Sequence, residues 1–267
     1  MHRPTPRRPP LRPTHLAIAT ALAGILTTAA AGAPAAVLIF GEQHDQPDQQ
    51  RQVADEVRDR AAAGTLAAVV LEMADRGRDT RGLPPDAGEA QVREALAWNG
   101  WPWEAYAPVV MNAVRARVPV HGGNLPRGAM RDAMRDETLD AQVADGVRAL
   151  LAREVRDGHC GLLPASQEPG MVRIQIARDR AMADTVAALA ADAGGRDVLL
   201  LTGAQHASRD RGVPLHLPPA LPVRIVMFGA PLAGLVADEW RAAAVTPQPD
   251  ACEQLREQLQ RRPAAPR

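Results

Sequence analysis

Two short stretches of this 267-residue chain share the pattern Gly-x-x-His: Gly41-Glu-Gln-His44 and Gly203-Ala-Gln-His206. Each directly follows an apolar run, residues 36–40 in the first case and 197–202 in the second. Glu72 closes a third run at residues 67–71, and His121 closes a fourth at 118–121. Carboxylates and imidazoles delivered from several strand ends suit a divalent metal with an open position for water or substrate. They suit metal-free acid–base work equally well. For a metal centre Glu42, His44, Glu72 and His206 are the expected ligands, with Glu42 and Glu72 catalytic if the protein is a hydrolase. The plainer alternative is that loop histidines cap strand ends while Glu72 pairs with an Arg. Glycine heads both motifs, which fits a sharp turn at a strand end.

Other residues widen the candidate set. His121, Asn124, Arg127, His159, Gln175, Asp179 and Arg209 are possible ligand contacts. The loop Gly122-Gly-Asn-Leu-Pro-Arg127 can approach a ligand closely or serve as an ordinary strand-to-helix turn. Gln175 and Asp179 are four apart on a helix, where such pairs commonly just support the helix. His159 adjoins Cys160 without the spaced partner that would define a metal motif. Tyr106 is the one tyrosine of the chain, close to Trp98, Trp101 and Trp103. Tyrosine is a known axial ligand of haem iron, and flat aromatic rings can flank a porphyrin.

The elements that must position these residues follow from periodicity. Continuous apolar runs at 36–40, 67–71, 118–121, 197–202 and 223–227 read as strands buried on both faces. Helical spacing marks 48–63, 88–97, 103–117, 138–156 and 170–193, with Gly64 stopping the first and Gly122-Gly123 ending the third strand. Strands alternating with helices predict an α/β fold, a mostly parallel sheet flanked by helices on both faces, with a helical insertion in the middle. Ligands of such sheets lie outside the carboxyl ends of the strands.

The ends of the chain carry different messages. Residues 1–33 join four arginines and no acid to an apolar stretch and the small-residue exit Ala31-Gly32-Ala33, the pattern of a secretory signal peptide. The domain proper is expected at 34–245, followed by a tail at 246–267 that is partly helical or disordered. Removing the leader leaves 27 arginines against 31 acids, and lysine is absent throughout. That balance argues against nucleic acid as a partner. Export permits a disulfide between Cys160 and Cys252, but sequence separation alone leaves bridge and free thiols equally open.

Taken together, the motifs resemble the ChaN-like proteins, haem-binding uptake proteins of the Tiki and erythromycin-esterase-like superfamily. The resemblance runs from about Val37 to Phe228. It is carried by Gly41-Glu-Gln-His-Asp45, Leu71-Glu-Met73, Trp98…Trp103…Tyr106-Ala-Pro108, Gly123-Asn-Leu-Pro-Arg127 and His159-Cys-Gly161. It continues in Gln175…Asp179…Met182-Ala183 and Leu201-Thr-Gly-Ala-Gln-His206…Arg209-Asp210. The resemblance implies an exported haem-binding protein linked to iron and haem uptake. Its motifs do not single out a haem ligand, and Tyr106, Trp98 and Trp103 stand as haem-binding candidates on residue chemistry. It leaves room for an outer-membrane receptor and a homodimer as partners. The wider superfamily implies the alternative, a metal-dependent hydrolase built on Glu42, His44, Glu72 and His206. ChaN-like proteins are often lipoproteins, whereas this chain has no cysteine at the cleavage site, so a periplasmic or secreted location is expected.

Overall fold

A computed structural model describes His2 and residues 35–261. The expected signal peptide lies outside the described residues. Six strands form one sheet: β1 (Val37–Glu42), β2 (Leu66–Asp75), β3 (Val120–Asn124), β4 (Asp197–Gly203), β5 (Val223–Phe228) and β6 (Glu239–Arg241). Their order is β3-β2-β4-β1-β5-β6, and every pairing is parallel. The helices are α1 (Pro47–Ala62), α2 (Glu89–Ala95), α3 (Trp103–Arg115), α4 (Met130–Arg135), α5 (Asp145–Gly158), α6 (Glu168–Ala191), α7 (Ala204–Ala207) and α8 (Ala251–Arg261). The α/β fold with a parallel sheet is therefore as the apolar runs predict. Of the described helices, none is long and apolar enough to cross a membrane.

Both sheet faces are covered, which is why the strands read as unbroken apolar runs. Leu38, Phe40, Val69, Leu71, Leu199 and Leu201 pack with α1 and α3 on one face. Val37, Ile39, Val70, Val198 and Leu200 alternate to the other, against Met182, Ala183 and Val186 of α6. Each fully buried Leu or Phe of this kind contributes about 1.5–3 kcal/mol through lost water contact. A third apolar group, including Leu139, Leu151, Val155, Val172 and Ile176, joins α5 and α6 and forms the helical insertion.

The differences from expectation have local causes. Gly122 and Gly123 lie within β3 rather than ending it. A Cβ at position 122 would sit 2.1 Å from the carbonyl oxygen of Asp75, so close approach requires glycine there. The predicted helix at 138–156 divides into a short 3-10 turn, Glu137–Gln142, and α5. Asp136 caps that turn through the backbone N–H of Thr138. Strand β6 is only three residues long and half-buried, too short to leave an apolar signature. Cys160 and Cys252 are joined in a disulfide, closing a separation of 92 residues.

The strand order creates the place for a site. From β1 the chain moves through β2 to β3, then returns to insert β4 between β2 and β1, before β5 extends the opposite side. The carboxyl ends of β2, β4 and β1 thus lie side by side at the point where the winding reverses, the position where open parallel sheets hold ligands.

Candidate functional site

Glu72 forms the floor of the site. It leaves β2 almost fully buried, yet three groups hydrogen-bond it. Its Oε2 accepts from the Thr202 hydroxyl at 2.6 Å and the Gly203 backbone N–H at 2.7 Å, both from the end of β4. Its Oε1 accepts from the Arg178 guanidinium of α6. Burial alone would raise its pKa, but the charges of His206, Arg178 and His44, with the Thr202 hydrogen bond, hold the carboxyl well below the usual carboxylate range.

The two motif histidines converge on the same carboxylate. Nε2 of His44 lies 3.9 Å from Glu72 Oε1, and Nε2 of His206 lies 3.8 Å from it. Each ring is oriented from behind by another acid: His44 Nδ1 is 2.9 Å from Glu42 Oε1, and His206 Nδ1 is 2.6 Å from Asp179 Oδ1. Burial disfavours the His44 imidazolium, but its hydrogen bond to Glu42 and the charge of Glu72 outweigh it and raise the pKa. Burial also raises Glu42 and Asp179. Glu42 Oε2 is buried with no hydrogen-bond partner among the described residues, an environment that favours the neutral acid.

The motif glycines are required by close approach rather than by a turn. Gly203 has φ −62°, and Gly41 is not in the positive-φ region either. A Cβ on Gly203 would lie 2.9 Å from His44 Nε2, and one on Gly41 would lie 2.6 Å from the Ala207 Cβ. The motif therefore lets an imidazole and a short helix lie directly on the strand ends.

Above this floor opens a cleft of about 670 Å³. One wall is a single face of α5, with Leu151, Glu154, Val155, Gly158 and then His159 at helical spacing. Leu232 and Leu235 add apolar surface, and the Trp101 ring lies 4.6 Å from the His44 ring. The floor of the same cleft contains Glu42, His44, Glu72, Gln175, Arg178, Asp179 and His206.

Several expectations are corrected by these positions. Tyr106 is fully buried and donates its hydroxyl to Glu42 at 2.7 Å. Burial and the Glu42 charge push its pKa up, the opposite of what an iron-bound phenolate needs, and it does not line the cleft. Trp98 and Trp103 stack edge-to-face and direct their N–H groups to Trp101 O and Glu89 Oε2, so Trp101 is the member of the cluster that meets the cleft. His121 is buried away from it, with Nδ1 4.0 Å from Asp79 Oδ2. Arg209 pairs with Asp238. Asn124 accepts from Arg178 at 3.0 Å, and with Arg127 it lines a smaller hollow of about 310 Å³ that shares Glu72, Trp101 and Arg178 with the cleft. Gln175 and Asp179 do not pair with each other: Gln175 accepts from Arg178, and Asp179 holds His206.

The metal expectation also meets a geometric obstacle. Among the described residues no three His, Cys, Asp or Glu side chains are placed to hold a metal ion. The positive charge on Glu72 Oε1 is the Arg178 guanidinium. The four residues expected as ligands do meet, but they form an ion-pair network around an arginine.

An α/β domain with a half-apolar cleft over a carboxylate–imidazole floor is the architecture of a small-ligand-binding protein. The model of a family described as haem-binding uptake, Tiki superfamily, ChaN, matches residues 28–217, and the chain belongs to that family. A solved structure described as "Cofacial heme binding to ChaN of Campylobacter jejuni" aligns with a TM-score of 0.60 and 21% identity, covering 72% of this chain and 81% of that one. At that identity the likeness is one of fold. No curated protein matches the chain.

Proposed function

We propose that this protein binds haem in the strand-end cleft and serves haem uptake outside the cytoplasm. The observation that carries the reading is the composition of the cleft. A porphyrin needs a broad apolar surface, which Leu151, Val155, Leu232, Leu235 and Trp101 supply together. The volume of about 670 Å³ falls within the range of cofactor sites, roughly 300–1,000 Å³. Four acidic side chains, Glu42, Glu72, Glu154 and Asp179, line the cleft, and Arg178 is the arginine among its lining residues. Leu151, Val155, Leu232, Leu235 and Trp101 would seat the porphyrin ring, and the acidic floor would disfavour its propionates. When bound, haem supplies the iron centre; these side chains seat it and limit water around it.

Family membership supports the ligand. The described relative binds heme cofacially, and a second copy of this chain is the proposed source of a facing ring. A haem-dependent homodimer and an outer-membrane receptor are the partners that follow from uptake. The signal-peptide pattern of residues 1–33, with Cys160 and Cys252 paired, supports an exported, periplasmic or secreted protein. The reading as a metal-dependent hydrolase has less support, since Arg178 takes the place a metal would occupy on Glu72.

The test is a hemin titration followed by absorbance, with gel filtration of the loaded protein. A saturable Soret shift with a change of elution toward a dimer is the expected result. A featureless, non-saturable titration would contradict the reading.

A further inference from the structure

The haem reading leaves open which atom faces the iron, and the histidines of the cleft differ in a way that answers it. His44 and His206 both have Nδ1 on a carboxylate and Nε2 turned to Glu72 Oε1. At 3.9 and 3.8 Å neither Nε2 is hydrogen-bonded to Glu72, but both face the charged floor, its carboxylate and the Arg178 guanidinium bound to it, rather than the apolar wall. His159 differs in standing with Leu151 and Val155 and in having a neutral carbonyl, not a carboxylate, behind its ring. Its Nδ1 lies 2.6 Å from the Val155 carbonyl oxygen. A carbonyl can only accept, so Nδ1 carries the proton and Nε2 keeps its lone pair. That Nε2 has no hydrogen-bond partner among the described residues and is not among the buried unpaired atoms. The ring stands on the cleft wall, four and eight residues beyond Val155 and Leu151 on the same helical face.

The backbone beneath His159 is also held from outside. Helix α5 ends at Gly158, and the chain reverses through Cys160 at φ +57° and Gly161 at φ +68°. A left-handed conformation is uncommon for a residue other than glycine, Asn or Asp. Here the adjoining residue is cross-linked: Cys160 is bonded to Cys252 at the start of α8. The segment leading to Cys252 is fastened to the opposite rim. Ala244 N–H donates to Asp48, Gln46 and Thr246 bond each other reciprocally, and the Gln248 side chain donates to the Asp45 carbonyl, next to His44. The tail thus runs from the His44 rim to the His159 rim, and the disulfide closes it.

We infer that His159 ligates the haem iron through Nε2, and that the Cys160–Cys252 disulfide holds it in position by strapping the two rims of the cleft together. The inference rests on the haem reading, names the ligand within it, and makes ligation dependent on an oxidised disulfide. Leu151 and Val155 on the same helix face then lie beside the ring whose iron His159 engages.

The full chain, with its disulfide intact, is titrated with hemin by absorbance and electron paramagnetic resonance, alongside His159→Ala, His159→Gln and Cys252→Ser. Both His159 variants are expected to alter the Soret band and iron signal and to bind hemin at least about tenfold more weakly. Added imidazole restores the wild-type spectrum in His159→Ala. Cys252→Ser weakens binding while His159 is still present. Wild-type-like spectra in both His159 variants would overturn the ligand assignment while leaving haem binding intact. Unchanged affinity in Cys252→Ser would overturn the strap. The absence of a saturable shift in the wild type would instead remove the haem reading on which both depend.

Discussion

His206 and Asp179 meet at 2.6 Å, Nδ1 to Oδ1, although one follows β4 and the other lies in the middle of α6. Asp179 is almost completely buried. The contact fixes the His206 ring and places its Nε2 over Glu72, tying the helix on one sheet face to the motif at the strand end. A carboxylate in that position orients an imidazole much as second-shell acids do elsewhere.

Removing that acid leaves the His206 Nδ1–H without its partner. Asp179→Ala is expected to destabilise the protein by about 3 kcal/mol, the low end of what breaking a buried pair costs. Urea denaturation read by circular dichroism measures it. A loss under about 0.5 kcal/mol, the level of an ordinary surface substitution, would show that the contact contributes little.

Stability responds to pH from two sides. The His44 pKa is raised above its ordinary value of 6.5, so its contribution is complete below that value and is lost as pH rises through the folded-state pKa. The Glu72 pKa is lowered below its ordinary 4.5, so its contribution is present above that value and is lost only as pH falls through the depressed folded-state pKa. Denaturation across pH 5 to about 9 should show stability declining on the alkaline side of 6.5. That decline should be flattened in His44→Gln. An identical slope in wild type and variant would assign the decline to another group.

The disulfide closes a separation of 92 residues. By the loop-entropy relation, a ring of that size stabilises the fold by about 4–5 kcal/mol, less any strain in the native state. Cys252→Ser should therefore lower the melting temperature by several degrees while circular dichroism at room temperature stays native-like. An unchanged melting temperature would mean that the tail is held by its hydrogen bonds to residues 45–52 alone.

Much of this architecture is legible in the sequence, for a physical reason. Strands buried on both faces carry unbroken apolar runs, so β1, β2, β4 and β5 are marked by composition alone. The polar residues that end β1, β2 and β4 then fall on one edge, and Glu42, His44, Glu72 and His206 do meet there. Asp179 is visible as a candidate, but its pairing with His206 rather than Gln175 is hidden because helix α6 packs on both the sheet and the insertion. With apolar residues around much of its circumference, no clean polar face shows which side Asp179 occupies. Arg178 is hidden by number, as one of 31 arginines in a chain without lysine. Leu232 and Leu235 belong to a loop without periodicity, and only the folded chain brings them to the α5 wall. Tyr106 stands out in the sequence as the one tyrosine, and only the fold shows it buried and donating its hydroxyl to Glu42.

The central claim is that haem lies in the cleft between α5 and the strand ends. The most direct test is hemin affinity, by absorbance titration, in wild type and in Leu232→Asp. Leu232 lines the cleft but is 40% exposed, so the change places a carboxylate on the apolar wall without disturbing the core. Wild type should bind saturably, and the variant should bind at least about tenfold more weakly, the cost of losing roughly one leucine's apolar contact. Equal affinity in the two proteins, or no saturable binding in either, would contradict the account.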